Sequence, residues 1–206
     1  MIDITPEELK SYPLPSWASD PIDPAEIDWY WRINNALVPF FVIEGMPVNP
    51  VKDTGKIGRN LGKWGENQAA DPIVVAKNKV LLIQRDDCGE WAIPGGMVDP
   101  GEFAKKALVR ELKEETGVDL SSMHPVILDR TYIDDPRNSN NAWICSTIAL
   151  FEIEDTVEAI GQDDAMDARW FDFSSMDALE NDVAKIGKLY SAHRPVLKLA
   201  ADYMEV

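Results

Sequence analysis

Residues 96–118, Gly96-Met97-Val98-Asp99-Pro100-Gly101-Glu102-Phe103-Ala104-Lys105-Lys106-Ala107-Leu108-Val109-Arg110-Glu111-Leu112-Lys113-Glu114-Glu115-Thr116-Gly117-Val118, decide how this chain is read. The spacing predicts a helix over 103–116, with Ala104, Ala107, Leu108 and Leu112 as its apolar stripe and Gly117 placed to stop it. At about 100° per residue, Glu111, Glu114 and Glu115 fall on or beside that stripe, while Lys105, Lys106 and Lys113 point elsewhere. Glu111 faces Glu114 at i+3 and Glu115 at i+4, and such like-charge pairs each oppose a helix by roughly 0.2 to 0.5 kcal/mol. The acids also crowd the negative end of the helix macrodipole. Only Glu114 has a helical cation partner, Arg110 at i−4. Acids that violate pairing, dipole and burial preferences together imply a missing cation, and an all-carboxylate set selects a hard ion such as Mg²⁺ or Mn²⁺.

Gly96, Glu102, Arg110, Glu111, Leu112, Glu114, Glu115, Gly117 and Val118 occupy the fixed positions of the loop-helix-loop that defines the Nudix hydrolases, which this segment resembles. The resemblance implies an α/β/α sandwich and hydrolysis of a nucleoside diphosphate linked to another group. It also implies Glu111, Glu114 and Glu115 as metal-site carboxylates, the Gly95 carbonyl as a further ligand, and Glu102 and Arg110 as supports of the loop-helix geometry.

Further segments resemble one branch of that family. These are Gly58-Arg59, Gly62-Lys63-Trp64-Gly65, Ala69 to Pro72, Cys88 to Pro94, Asp134-Asp135-Pro136-Arg137-Asn138, Asn141-Ala142-Trp143 and Leu189 to His193. They are similar to the ADP-ribose pyrophosphatases of mitochondria and to the fused domain of an ADP-ribose-gated cation channel. The branch implies cleavage of ADP-ribose to AMP and ribose 5-phosphate. Two other readings stand beside it: a Nudix hydrolase of NADH, a nucleotide sugar or a nucleoside triphosphate, and a non-catalytic ADP-ribose sensor. The branch-specific segments disfavour the first of these, and the intact acids disfavour the second.

Outside the helix, Asp135-Pro136-Arg137 joins a carboxylate able to accept from ribose hydroxyls to a guanidinium able to clasp a phosphate. Tyr190 and His193, three apart, can present an aromatic face and an imidazole to adenine or a ribose. Arg59 and Arg85 are candidate diphosphate contacts, and Trp91 and Trp143 read as structural. The general base is either a glutamate of the helix or an acid from a distant loop, Asp163 or Asp164.

The chain has 206 residues, 45% of them hydrophobic, which fits one buried domain with an extension and excludes a disordered chain. Its net charge of −16 repels nucleic acid and anionic membranes, so the expected partner is a small molecule, ADP-ribose. Residues 151–182 supply much of that charge, with eleven acids against Arg169 alone. No signal-like start or long apolar stretch is present, and Cys88 and Cys145 show no ligand spacing; a cytoplasmic protein with reduced thiols is expected. Nothing in the sequence sets the oligomeric state, for which a monomer is the expectation.

Eight of the fourteen prolines lie in residues 1–50 beside Tyr12, Trp17, Trp29, Tyr30, Trp31, Phe40 and Phe41. That pattern predicts a small, irregular or short-stranded N-terminal subdomain over 1–60. Glycines and basic residues between 51 and 70 read as a flexible link, placing the Nudix hydrolase domain at 61–206. Within it, 72–76 and 80–85 read as a hairpin joined at Lys77-Asn78-Lys79, and 126–133, 142–153 and 169–173 as strands. A last helix is expected over 195–204. Helices around such strands give an α/β fold with a mixed sheet between helical layers.

Overall fold

A computed structural model describes residues 23–206, so Tyr12, Trp17 and the chain's opening segment lie outside the described residues. In chain order the elements are a 3₁₀ turn at Pro24–Glu26, α1 (Trp29–Asn34), β1 (Phe41–Ile43), β2 (Met46–Val48), β3 (Gly65–Ala76), β4 (Lys79–Arg85), β5 (Trp91–Ala92) and β6 (Gly96–Met97). There follow α2 (Ala104–Thr116), β7 (Val126–Ile133), β8 (Ala142–Glu152), β9 (Ala165–Asp172), α3 (Met176–Val183), a 3₁₀ turn at Ser191–His193, and α4 (Arg194–Met204). Strands β1 and β2 pair with each other. The larger sheet has the order β5-β4-β3-β8-β7, with β6 on β3 and β9 on β4. The architecture is the expected α/β class, a mixed sheet with helices.

The chain divides into two units. The first holds the described residues up to Gln68 with Thr131–Ser146. Its core is aromatic: Phe40 lies edge-on to Trp143 at 5.2 Å and to Trp29 at 6.3 Å, with Leu37, Val38, Val42 and Tyr132 packed around them. The Trp29-Tyr30-Trp31 run, which gives no apolar period, is nevertheless helical because Asp28 caps it, accepting from the Trp31 N–H at 3.0 Å. The expected flexible link over 51–70 is overturned. Arg59, Leu61 and Trp64 are buried, and β3 already begins at Gly65. The glycines there tighten the chain: Gly58, Gly62 and Gly65 take positive φ, and Asn67 bonds both the N–H and the carbonyl of Lys63.

The second unit holds Ala69–Arg130 with Thr147–Val206. Lys77 and Asn78, both at positive φ, make the two-residue turn that joins β3 to β4, as the sequence predicts. β4 also pairs along its length with β9, which starts four residues earlier than expected, at Ala165. Helix α2 ends where predicted, with Gly117 at φ 73° and its N–H on the Lys113 carbonyl. The acidic 151–182 stretch conceals α3, which Ser175 caps and which buries Leu179 and Val183.

Glu66 anchors the first unit's chain reversal after α1. It is buried, and its two oxygens accept from the Leu37 and Val38 N–H groups at 2.8 and 3.0 Å. Glu66→Ala should therefore lower unfolding free energy by about 2 to 4 kcal/mol, since two amides lose a charged acceptor. Denaturant melts of both proteins check this; a difference below about 0.5 kcal/mol would show that the amides find other partners.

Candidate active site

The site's frame is a pair of glycines between β3 and α2. Gly96 pairs with Ala70 across the β3–β6 ladder. A Cβ on Gly96 would lie 2.6 Å from the Glu111 carboxylate, so this acid rests directly against the backbone. Gly95, at φ 150°, passes so close to β3 that a Cβ would meet the Ala70 carbonyl and Asp71 at 2.6 Å. Its N–H donates to Glu115 Oε2 at 2.8 Å.

Arg110 ties that loop to the helix. Its Nε and Nη2 hold Glu102, Nη2 also donates to the Met97 carbonyl at 3.0 Å, and Nη1 reaches Glu111 at 2.7 Å and Glu114 at 3.0 Å. The expectation that Glu114 alone has a cation partner is thus corrected: rotation of Arg110 toward the loop brings Glu111 into the same pairing. Nor do all three acids sit on the covered face. Glu115 is buried and Glu111 half-buried, but the Glu114 side chain is 47% exposed.

Burial dominates the electrostatics. It pushes Glu115 up to about 8, against the Gly95 N–H that favours the anion, with the Glu111 charge adding to the rise. Burial likewise pushes Glu111 up to about 7, although Arg110 pulls it down. Glu102, whose side chain is also largely covered, is held below the usual carboxylate range by its hydrogen bonds from Arg110. The α2 C-terminus adds a neighbour, because the loop before β9 satisfies its open carbonyls through Ile160 N–H to Thr116 and Gln162 N–H to Glu115. That loop carries Asp164, whose own proton affinity is raised by burial and by Asp163, and whose charge reaches Glu115.

Among the described residues, no three His, Cys, Asp or Glu side chains are arranged to hold a metal. The reason is local: Arg110 draws Glu111 and Glu114 to itself, and Glu115 turns to the Gly95 N–H. The donor chemistry still fits a hard divalent cation, because the oxygens are carboxylate and two of the acids are held where their charge lacks sufficient compensation.

Beside this loop in the same unit, His193 Nδ1 accepts from the Ile93 N–H at 2.9 Å, which fixes the tautomer bearing its proton on Nε2. The Tyr190 ring stands edge-on to His193 and lies 4.7 Å from the Arg85 guanidinium carbon. Arg59, Asp135 and Arg137 belong to the first unit. Arg59, a candidate diphosphate contact, is buried with Nη1 on the Gly62 carbonyl. Asp135, also buried, takes the Arg137 Nε and Nη2 in a fork at 2.8 and 2.9 Å, and the Arg137 N–H as well. Sequence reading separated Asp135 and Arg137 into two roles; their spacing makes them partners first. It also passed over Asp87, which grips Arg85 in the same manner. Trp91 and Trp143 are buried, as expected of structural residues; Cys88 is an exposed free thiol and Cys145 a buried one.

A NUDIX-domain family profile matches residues 66–193, and the chain belongs to the Nudix family. The mitochondrial ADP-ribose pyrophosphatase of Rattus norvegicus is 36% identical, covering 77% of this chain and 54% of its own length. A transient receptor potential cation channel, subfamily M member-like 2, of Nematostella vectensis is 35% identical over 64% of this chain and 11% of the channel. The chain therefore spans about half the length of the rat relative. Among solved structures, a MutT/nudix family protein from Enterococcus faecalis superposes with a TM-score of 0.56 at 26% identity, covering 68% of this chain and 62% of the other.

The raised proton affinities give a prediction for the metal-free protein. A carboxyl whose folded pKa exceeds its ordinary value of 4.5 stabilises the fold below that value and loses this contribution as pH rises through the folded pKa. In EDTA, Glu115→Gln should therefore melt higher than the parent protein at pH 8.5, and the gap should close toward pH 4.5. Calorimetric melts across that range check it; a pH-independent difference would mean that Glu115 is already ionised in the fold.

Proposed function

We propose that this chain hydrolyses the diphosphate of ADP-ribose to AMP and ribose 5-phosphate, using Mg²⁺, with Mn²⁺ as a substitute. The observation that carries the reading is the placement of Glu111 and Glu115 against the Gly95–Gly96 backbone, with Arg110 paired to Glu111. Family membership supports hydrolysis of a nucleoside diphosphate derivative, and the rat relative's name supports ADP-ribose. Nudix hydrolases use divalent metals, and here Glu111, Glu114, Glu115 and the Gly95 carbonyl would hold the ion. When bound, it supplies charge neutralisation at the diphosphate and acidifies the attacking water.

The chain's own residues do the rest. Arg110 keeps Glu111 and Glu114 in place while Glu102 holds the far side of its guanidinium. The Gly95 N–H fixes one oxygen of Glu115. Asp164, brought to the end of α2 by the Gln162 and Ile160 hydrogen bonds, is the proposed base that takes the proton from water, with Asp163 beside it. Arg85, Tyr190 and His193 are proposed substrate contacts in the same unit. Arg59, already committed to Gly62, contributes least to the proposal. The division into a 1–60 subdomain and a 61–206 hydrolase domain belongs to the same reading, as do a cytoplasmic location and a monomeric state. The net charge of −16 supports a small substrate over nucleic acid or anionic membrane. No helix of the described residues is long and apolar enough to cross a membrane.

In a panel of diphosphates incubated with Mg²⁺, ADP-ribose should be consumed fastest and give AMP and ribose 5-phosphate by chromatography. Equal or faster turnover of NADH, a nucleotide sugar or a nucleoside triphosphate refutes the substrate assignment while leaving the family intact.

Gly96→Ala tests the acid placement itself. The atoms nearest the added methyl are all at the flexible end of Glu111, so the fold should survive while the carboxylate moves. Turnover should drop at least about tenfold with little change in melting temperature. Unchanged turnover would remove Glu111 from the chemistry.

A further inference from the structure

We propose that Asp87 is a positioning residue for substrate binding: it grips the Arg85 guanidinium by one edge and thereby presents the other edge to the substrate's diphosphate. The inference rests on the diphosphate-hydrolase reading above.

Arg85 is aimed by the backbone before any side chain acts. The β4–β9 register shifts between Gln84 and Arg85, where Gln84 faces Asp167 and Arg85 faces Ala165; the extra residue, Met166, lies on β9, and the regular β4 ladder ends at Arg85. The Arg85 N–H to the Glu90 carbonyl, and the Gly89 N–H to the Arg85 carbonyl, then close the turn that carries Asp87. Within it, Arg85 Nε donates to Asp87 Oδ1 at 2.9 Å and Nη2 to Oδ2 at 2.7 Å, a two-point fork that fixes the guanidinium plane. The Tyr190 ring covers one face, and Tyr190 is itself pinned by its N–H on the Trp91 carbonyl. A guanidinium has two edges able to take an oxyanion in two-point fashion. Asp87 fills the Nε–Nη2 edge, which leaves the Nη1–Nη2 edge as the one suited to a phosphate. The Arg85 charge reaches Glu115 and Asp164, so the guanidinium lies within the field of the acid centre.

A purely structural pair would look different. The Asp87 side chain is 51% exposed and only two residues from its partner, a setting in which ion pairs add little to stability. The Arg85 side chain, by contrast, is mostly covered. A clamp on a long, flexible cation removes its rotamer freedom before a ligand arrives, and that gain appears in affinity rather than in the melting temperature. Nor is Asp87 placed as a competitor, since a competitor would occupy the edge that the phosphate needs.

The test is steady-state kinetics on the full chain as Asp87→Asn, Asp87→Glu, Arg85→Ala and the Arg85→Ala/Asp87→Asn double variant, with melting temperatures in parallel. Asp87→Asn should raise KM for ADP-ribose about tenfold, with kcat within about threefold and the melting temperature nearly unchanged. Asp87→Glu should recover most of the loss. Arg85→Ala should raise KM further, and the double variant should be no worse than Arg85→Ala, because the proposal routes the effect of Asp87 on binding through that guanidinium. An unchanged or lowered KM in Asp87→Asn, or additive losses in the double variant, overturns the proposal. So does an unchanged KM in Arg85→Ala, which leaves the substrate reading standing. If the panel instead selects another diphosphate, the ADP-ribose reading fails, and the same four variants on that substrate decide the role of Asp87 separately.

Discussion

The guanidinium of Arg110 is the contact on which the candidate site depends. One planar group bridges the Glu102 carboxylate and the Met97 carbonyl of the loop to Glu111 and Glu114 of α2. Without it, α2 would carry three acids within five residues at its negative end, and the glycine loop would lose its only charged tie to the helix among the described residues. The arrangement explains why glycine is needed at 95 and 96. A guanidinium that draws the helix onto the loop leaves no room for a Cβ between the Gly96 backbone and Glu111, and β3 on the other side leaves none at Gly95. Charge pairing and close backbone approach are thus one constraint, and the buried acids are its consequence.

What the sequence made legible follows from how local each signal is. The α2 boundaries, the Lys77-Asn78 turn and strands β7 and β8 were readable because period, turn chemistry and a stop residue lie within a few positions of one another. The acid cluster was readable because it broke local rules together. The 51–70 link was misread because glycine spacing describes freedom only in a chain that nothing packs against; here Ser139 bonds the Gly58 carbonyl, Arg32 the Trp64 carbonyl, and the Gly65 N–H donates to the Asn141 carbonyl, all partners far away in sequence. Helix α3 was hidden for the opposite reason: its acids dominate the composition, while only Leu179 and Val183 face inward. The unequal exposure of Glu111, Glu114 and Glu115 was equally out of reach, since a helical wheel gives direction but not what covers each face.

The arginines show a recurrent solution. Arg85 with Asp87, Arg137 with Asp135 and Arg169 with Asp167 each pair with an acid two residues away along an extended or turning chain. The spacing is visible in the sequence, but its meaning depends on cover: Asp135 is buried, Asp87 is half exposed beside a covered Arg85, and the Arg169–Asp167 pair lies nearer solvent. Each pair is nearly neutral as a unit. For a chain of net charge −16, that limits long-range attraction of an anionic substrate.

On the proposed function, recognition of a diphosphate comes from donors already oriented at short range rather than from potential. A paired guanidinium has its long-range field offset by the acid but keeps a fixed donor edge, and fixed donors are favoured where the ligand brings its own charge into a covered site. The same logic governs the acids. Glu111 and Glu115 are held where burial disfavours their ionised form, so the protein without cation carries an electrostatic cost that binding of a hard ion relieves. In the proposed reading, anion and cation recognition are prepared in the same way: each group is fixed by a neighbour before its ligand arrives, and the cost of fixing it is borne by the fold.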